Sequence, residues 1–165
     1  MKRLGTEVII SGLLPSRAME KTLEVPKVQS VHAVLILDGN YLLQLRDNKS
    51  TISASGQWSL FGGKIKTGET PLQTMEREVC EELSIEPAEY KYLWFTDYYS
   101  PFERTITRTW NFVSDVTTIW SSHKLREGQA VRAFSFEQLP KQDMPWVTYQ
   151  TLERFHQQVR GKYEG

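Results

Sequence analysis

A single cysteine, Cys80, among 165 residues excludes an intramolecular disulfide framework and any multi-cysteine zinc site. Its place in a predicted helix makes it a packed small residue rather than a reactive thiol. Charge of either sign is not in excess: 20 Lys and Arg balance 20 Asp and Glu, so no global field draws the chain to a nucleic-acid polymer or an anionic membrane. A small phosphorylated ligand would need only a local basic patch. The three histidines, His32, His123 and His156, have no metal-ligand spacing, which assigns them to surface or satisfied structural positions. No apolar run approaches the length of a membrane span. Lys2 and Arg3 precede Val8-Ile9-Ile10 in the manner of a signal peptide, but Glu7 and Pro15 interrupt the apolar stretch and no clean cleavage site follows. These absences predict a cytoplasmic protein in a reducing compartment.

The length suits one domain with a substantial core. Residues 1–27, with Pro15, Pro26 and no sustained period, read as an N-terminal leader, and residues 28–162 as the domain. Two apolar runs, residues 31–37 and 41–46, flank Asp38-Gly39-Asn40 and predict a β-hairpin. Residues 47–57 are polar and small, a loop leading into the short run Trp58–Phe61. Further strands are predicted at Tyr90–Tyr99, Thr105–Val113 and Ala130–Phe136. A closing amphipathic helix over Val147–Val159 would bury Leu152, Phe155 and Val159. Strands mixed with two helices, without repeats, indicate an α/β or α+β domain with a mixed sheet.

Between Gly63 and Ile85 the chain reads GKIKTGETPLQTMEREVCEELSI. A helix beginning near Pro71 would place Glu78, Glu81 and Glu82 within about 100° of arc, with Leu72, Met75, Val79 and Leu83 on a flank about 100° away. Like charges at these spacings repel, and a divalent cation would remove that cost, hard oxygen donors favouring Mg²⁺ or Mn²⁺ over zinc. A solvated, charge-rich helix face is the alternative reading of the same residues.

The segment resembles the Nudix box, G-x5-E-x7-R-E-U-x-E-E-x-G-U with U aliphatic. Gly63, Glu69, Arg77, Glu78, Glu81 and Glu82 occupy its fixed positions, and Val79 and Ile85 its aliphatic ones; chance would produce such a match roughly once per million starting points. Ser84 stands where the family carries glycine, and a left-handed serine there would cost on the order of 1 kcal/mol. The resemblance implies a Nudix-type α/β/α sandwich with a mixed β-sheet and a Mg²⁺- or Mn²⁺-dependent hydrolase cleaving the pyrophosphate linkage of a nucleoside di- or triphosphate derivative. A nucleoside triphosphate is favoured, with a nucleotide sugar or ADP-ribose second.

By the same resemblance Glu78, Glu81 and Glu82 hold the metal with the Gly62 carbonyl, Arg77 orients Glu78, and Glu69 supports the helix start or the outer metal shell. Glu127, in the segment Arg126–Gln129, adds a carboxylate, while Arg46 contacts substrate phosphate, assisted by Lys64 or Lys66. Tyr98, Tyr99, Phe102 and Trp110 are candidates to stack a base, or core residues of an aromatic-rich strand. The asparagine that reads an oxidised guanine in the nucleotide-sanitising branch has no counterpart around Pro145–Thr148. Many relatives dimerise, so a homodimer is compatible. A catalytically silent Nudix-fold sensing or interaction module is the alternative of a different class.

Overall fold

The computed structural model describes residues 24–160. The predicted hairpin forms from β1 (Val28–Leu37) and β2 (Asn40–Leu45), paired antiparallel with Leu37 opposite Asn40 across the two-residue Asp38-Gly39 turn. The run predicted at Trp58–Phe61 is divided at Leu60 into β3 (Trp58–Ser59) and β4 (Phe61–Lys64), because the two halves hydrogen-bond to different partners: β3 to β2 and β4 to β1. Helix α1 spans Pro71–Leu83. β5 (Lys91–Ser100) and β6 (Thr105–Asp115) follow, then β7 (Ala130–Phe134) and α2 (Trp146–Arg154). The chain continues beyond α2 in a wider π-helical turn over Phe155–Arg160, so the helix predicted to Val159 is α-helical only to Arg154.

The strands make one sheet in the order β3-β2-β1-β6-β5, with β4 also paired to β1 and β7 to β2. β1 and β6 run parallel over nine residue pairs, Val28 with Thr107 to Ile36 with Asp115; the β5–β6, β2–β7 and β1–β2 pairs are antiparallel, which makes the sheet mixed. Period-two alternation sends side chains of β1 to opposite faces. Val31, Ala33 and Leu35 pack with Met75, Val79 and Leu83 of α1, while Val34 packs with Tyr41, Leu43, Leu152 and Phe155 on the α2 side. Each face of the sheet thus carries one helix, the α/β/α sandwich. Leu72, expected on the buried flank, is exposed, since it lies in the first turn, before α1 has settled against the sheet.

The leader predicted over residues 1–27 falls largely on residues 1–23, outside those described. Among the described residues no helix is long and apolar enough to cross a membrane.

Candidate active site

Local chemistry anchors α1. Thr70 caps it by accepting from the Gln73 backbone N–H at 3.2 Å while the Gln73 side chain accepts from the Thr70 N–H at 2.9 Å, and Pro71 fills the first turn. At the other end Ser84 adopts the left-handed conformation, φ 54° and ψ 34°, as predicted for the position where glycine was expected. Its hydroxyl accepts a 2.8 Å bond from Arg126 Nε, an interaction invisible in the pattern. Backbone N–H groups of Lys124 and Arg126 donate to the carbonyls of Leu83 and Glu82, each at 2.8 Å, satisfying the free helix end and bringing Glu127 beside it. Gln129 fastens the far side, donating from its backbone to Leu45 at 2.7 Å and from its amide to Arg46 O at 2.8 Å. Glu127, 45 residues away from Glu82 in sequence, thereby faces the same cavity.

That cavity, about 340 Å³, is lined by Arg46, Gly62, Gly63, Glu78, Glu82 and Glu127 among others. The three α1 glutamates are not equivalent. Glu82 is buried, 2% exposed, and accepts from the Gln44 amide at 3.1 Å. Burial raises its carboxyl well above the ordinary range, helped by the charges of Glu78 and Glu127 and opposed by Arg46 and the Gly62 N–H. Glu78 is raised as well, first by burial, against the hydrogen bond and charge of Arg77. Glu81 is half-exposed, held at 3.3 Å by Arg77 Nη1, and does not line the cavity.

Arg77 is the hub behind these acids. Its Nε and Nη2 donate to the two Glu69 oxygens at 2.7 and 2.9 Å, and Nη1 donates to Glu78 Oε1 at 2.8 Å. The fork bond from Arg77, with that from Thr74 next, holds Glu69 down to about 2. Glu69 also accepts from the Lys66 N–H at 3.2 Å, tying the loop to the helix. Gly63 lies against Glu78: a Cβ there would collide with its carboxylate, and a Cβ on Gly62, φ 150°, would collide with the Val31 carbonyl. Both glycines are required by close approach.

Arg46 lines the cavity, with Nε bonded to Ser53 O at 2.8 Å, leaving the rest of its guanidinium charge to act there. Lys64 also lines the cavity but pairs with Glu103; Lys66 does not line it. Of the aromatic candidates, Tyr98 and Phe102 line it, Tyr99 is exposed elsewhere, and Trp110 packs with the α1-side core, donating to Gln29 Oε1 at 2.9 Å.

Two contributors were missed. Gln44 is a 2%-exposed amide inside the apolar run of β2; a lone polar residue there, two positions from Arg46, was the available signal. His32 departs from the structural role expected of all three histidines. His123 bonds to Trp120 O at 2.7 Å and His156 to Tyr41 Oη at 2.8 Å, but His32 Nδ1 is buried without a partner and its ring lines the cavity. Burial, then the charge of Arg46, pushes this imidazole down to about 4.

The donor set fits a hard divalent cation. The charge of Glu127 helps to raise the carboxyls of Glu78 and Glu82, and that of Glu78 helps to raise Glu82; no Lys, Arg or His forms an ion pair with Glu82 or Glu127 among the described residues, so a cation would reverse an existing cost. No three carboxylate, imidazole or thiol groups among the described residues cluster tightly enough to enclose a metal by themselves. A lining of carboxylate oxygens, with backbone carbonyl and water to complete it, would suit Mg²⁺ or Mn²⁺ better than zinc.

A family model for the NUDIX domain matches residues 26–155. No curated protein matches the chain significantly. Among solved structures, a MutT protein from Methanosarcina mazei Go1 is 25% identical with a TM-score of 0.70, covering 84% of this chain and 99% of that one. The NUDIX domain of Shewanella oneidensis NrtR, complexed with ADP ribose, is 21% identical with a TM-score of 0.63, covering 79% and 87%. A bifunctional NMN adenylyltransferase/ADP ribose pyrophosphatase from Francisella tularensis, complexed with AMP and Mn ion, is 21% identical with a TM-score of 0.61, covering 82% of this chain and 43% of that one. The sandwich, the carboxylate-lined cavity at the end of α1 and a family match running from before β1 into the last helical turn lead to one conclusion: this chain belongs to the NUDIX family.

Proposed function

We propose that the protein is a Mg²⁺- or Mn²⁺-dependent hydrolase of the pyrophosphate linkage in a nucleoside di- or triphosphate derivative, a nucleoside triphosphate before a nucleotide sugar or ADP-ribose. The observation that carries this reading is the convergence of Glu78, Glu82 and Glu127 with Arg46 on one cavity. Cleaving a phosphoanhydride requires neutralised phosphate charge, an activated water and a stabilised leaving phosphate. Glu82, Glu78 and Glu127, with the Gly62 carbonyl, would hold the cation. When bound, it supplies charge neutralisation and a more acidic water.

The chain's own groups do the rest. Arg46 draws a phosphate oxygen into the cavity by charge. Glu78, one oxygen fixed by Arg77 at 2.8 Å, would take the water's proton. The water oxygen bonds to phosphorus as the P–O bond to the leaving phosphate breaks, the electron pair departing with that phosphate. Glu69 acts only through Arg77 as a positioning residue. Glu81, outside the cavity, stabilises Arg77.

The test is product release from a panel of nucleoside triphosphates, nucleotide sugars, dinucleoside polyphosphates and ADP-ribose with Mg²⁺ or Mn²⁺, beside Glu82→Gln. Turnover of one class, lost by orders of magnitude in the variant, supports the reading. Silence across the panel in folded, metal-binding protein would favour the sensing module.

A further inference from the structure

The carboxylates of the cavity are not held alike. Glu78 is fixed by Arg77 Nη1 at 2.8 Å and Glu82 by the Gln44 amide at 3.1 Å, and both stand on α1, whose backbone ladder places them. Glu127 stands in the loop between β6 and β7, and its carboxylate enters no ion pair among the described residues. Its charge opposes those of Glu78 and Glu82, so repulsion works to push the loop off the cavity until a cation arrives. Whatever keeps Glu127 at the cavity must act through the residues on either side of it.

Those residues form a strap fastened at both ends. On the α1 side Arg126 donates twice, from its backbone to Glu82 O and from Nε to Ser84 Oγ, each at 2.8 Å. On the β2 side Gly128 takes a left-handed conformation, φ 81°, in which a Cβ would come within 2.8 Å of the Leu45 carbonyl. Gln129 then donates from its backbone to Leu45 O at 2.7 Å and from its amide to Arg46 O at 2.8 Å. Glu127 is the residue between the two fastenings. The Ser84 contact is particular to this chain, because the family motif carries glycine there and glycine has no acceptor to offer. Serine adopts the same left-handed backbone at a steric cost, and the one group it adds, its hydroxyl, is engaged by Arg126.

Resting on the reading of this cavity as a cation-dependent site with Glu127 among the ligands, we infer that Ser84, Arg126 and Gln129 are positioning residues that hold Glu127 within reach of the cation. The backbone bonds fix where the strap leaves α1 and where it rejoins β2. The side-chain bonds at each end remove its freedom to swing about those points, so the carboxylate is ordered before the metal arrives and binding does not have to order it. The same strap ties Glu127 to Arg46 through the amide of Gln129, so one segment sets both a cation ligand and the proposed phosphate contact. Charge alone argues in the opposite direction. A guanidinium beside a cation site repels the cation, so loss of Arg126 would tighten metal binding if charge were all that mattered.

The decisive measurement is calorimetric titration of Mn²⁺ into the metal-free full chain, beside its melting temperature in EDTA. Ser84→Gly and Arg126→Ala should each raise the Mn²⁺ dissociation constant about fivefold, and the double variant no further than either alone. Arg126→Lys, which can still donate to the hydroxyl, should restore most of the affinity, and Gln129→Leu should lower it by a factor comparable to the first two. Ser84→Ala keeps the strained backbone and should melt below Ser84→Gly, but both have lost the same bond, so the two should bind Mn²⁺ equally. Affinity that follows melting temperature instead would make the contact structural and overturn the inference. Unchanged binding in Ser84→Gly, or tighter binding in Arg126→Ala, overturns it as well. Glu127→Gln should weaken Mn²⁺ more than any strap variant; if it does not, Glu127 is no ligand and the positioning role falls, while a hydrolase built on Glu78 and Glu82 stands. Weakened binding in the strap variants of a protein that turns over no substrate class would refute the hydrolase and keep the positioning role.

Discussion

Replacing Glu82 by glutamine should stabilise the metal-free protein while abolishing its chemistry. The carboxylate is 2% exposed, and among the described residues it has only the Gln44 amide and the Gly62 N–H as donors, forms no ion pair, and faces the charges of Glu78 and Glu127. Glutamine has nearly the same shape, can still accept from Gln44, and turns an NH₂ donor towards the remaining carboxylates. Removing a desolvated, uncompensated charge should return about 2 kcal/mol, which for a chain of this size raises the melting temperature by about 4–8 °C in EDTA. The gain must depend on pH. Because the folded-state carboxyl is raised, the folded protein binds a proton that the unfolded chain has lost, so wild-type stability falls as pH rises from the ordinary glutamate range towards that raised value. As the pH is lowered Glu82 takes up its proton, and the advantage of the variant should shrink. Any contribution from His32 is common to both proteins and drops out of the difference. Metal reverses the order: at a hundredfold excess over its dissociation constant, Mg²⁺ stabilises the wild type by about 2.7 kcal/mol and the variant far less. Thermal unfolding of both proteins at pH 5 and 7.5, in EDTA and in MgCl₂, checks all of this. A variant that melts below wild type in EDTA, or a difference independent of pH, would refute the reasoning that Glu82 is an unpaired charge awaiting a cation.

Three further perturbations test other parts of the site. Gly63→Ala places a methyl group against the Glu78 carboxylate and should cut kcat/KM by more than a hundredfold, about 2.7 kcal/mol of transition-state stabilisation, while circular dichroism shows the sheet and α1 intact; a smaller loss would show that Glu78 can move without penalty. Arg46→Ala should lower kcat/KM on every nucleotide that is turned over, and unchanged values would return Arg46 to a role in holding the Ser53 loop. Ser84→Gly relieves about 1 kcal/mol of left-handed strain but loses the bond from Arg126, so its melting temperature should stay within about 2 °C of wild type, whereas Ser84→Ala keeps the strain, loses the bond and should melt about 2–4 °C lower. Equal melting of the two variants would mean that the backbone at φ 54° is unstrained.

Much of this protein is legible along the chain because the governing interactions are local. The Asp38-Gly39 turn, the Pro71 start of α1, the left-handed Ser84 and the alternation of β1 follow from residues a few positions apart, and the family motif itself sits within one loop and helix. What the motif could not convey is how α1 is rotated against the sheet. Packing Met75, Val79 and Leu83 on β1 buries Glu82, leaves Glu78 at the cavity wall and turns Glu81 towards solvent and Arg77, so one predicted acidic face becomes three different environments. Long-range contacts decided the rest. Glu127 reaches the cavity because the carbonyls at the end of α1 and of β2 capture its flanking residues. His32 and Thr107 line the cavity from two strands that pair in parallel, His32 opposite Asn111 and Thr107 opposite Val28, a register that no local pattern encodes. Local sequence determined the elements and the chemical groups; tertiary packing decided which of those groups lost water and which faced one another.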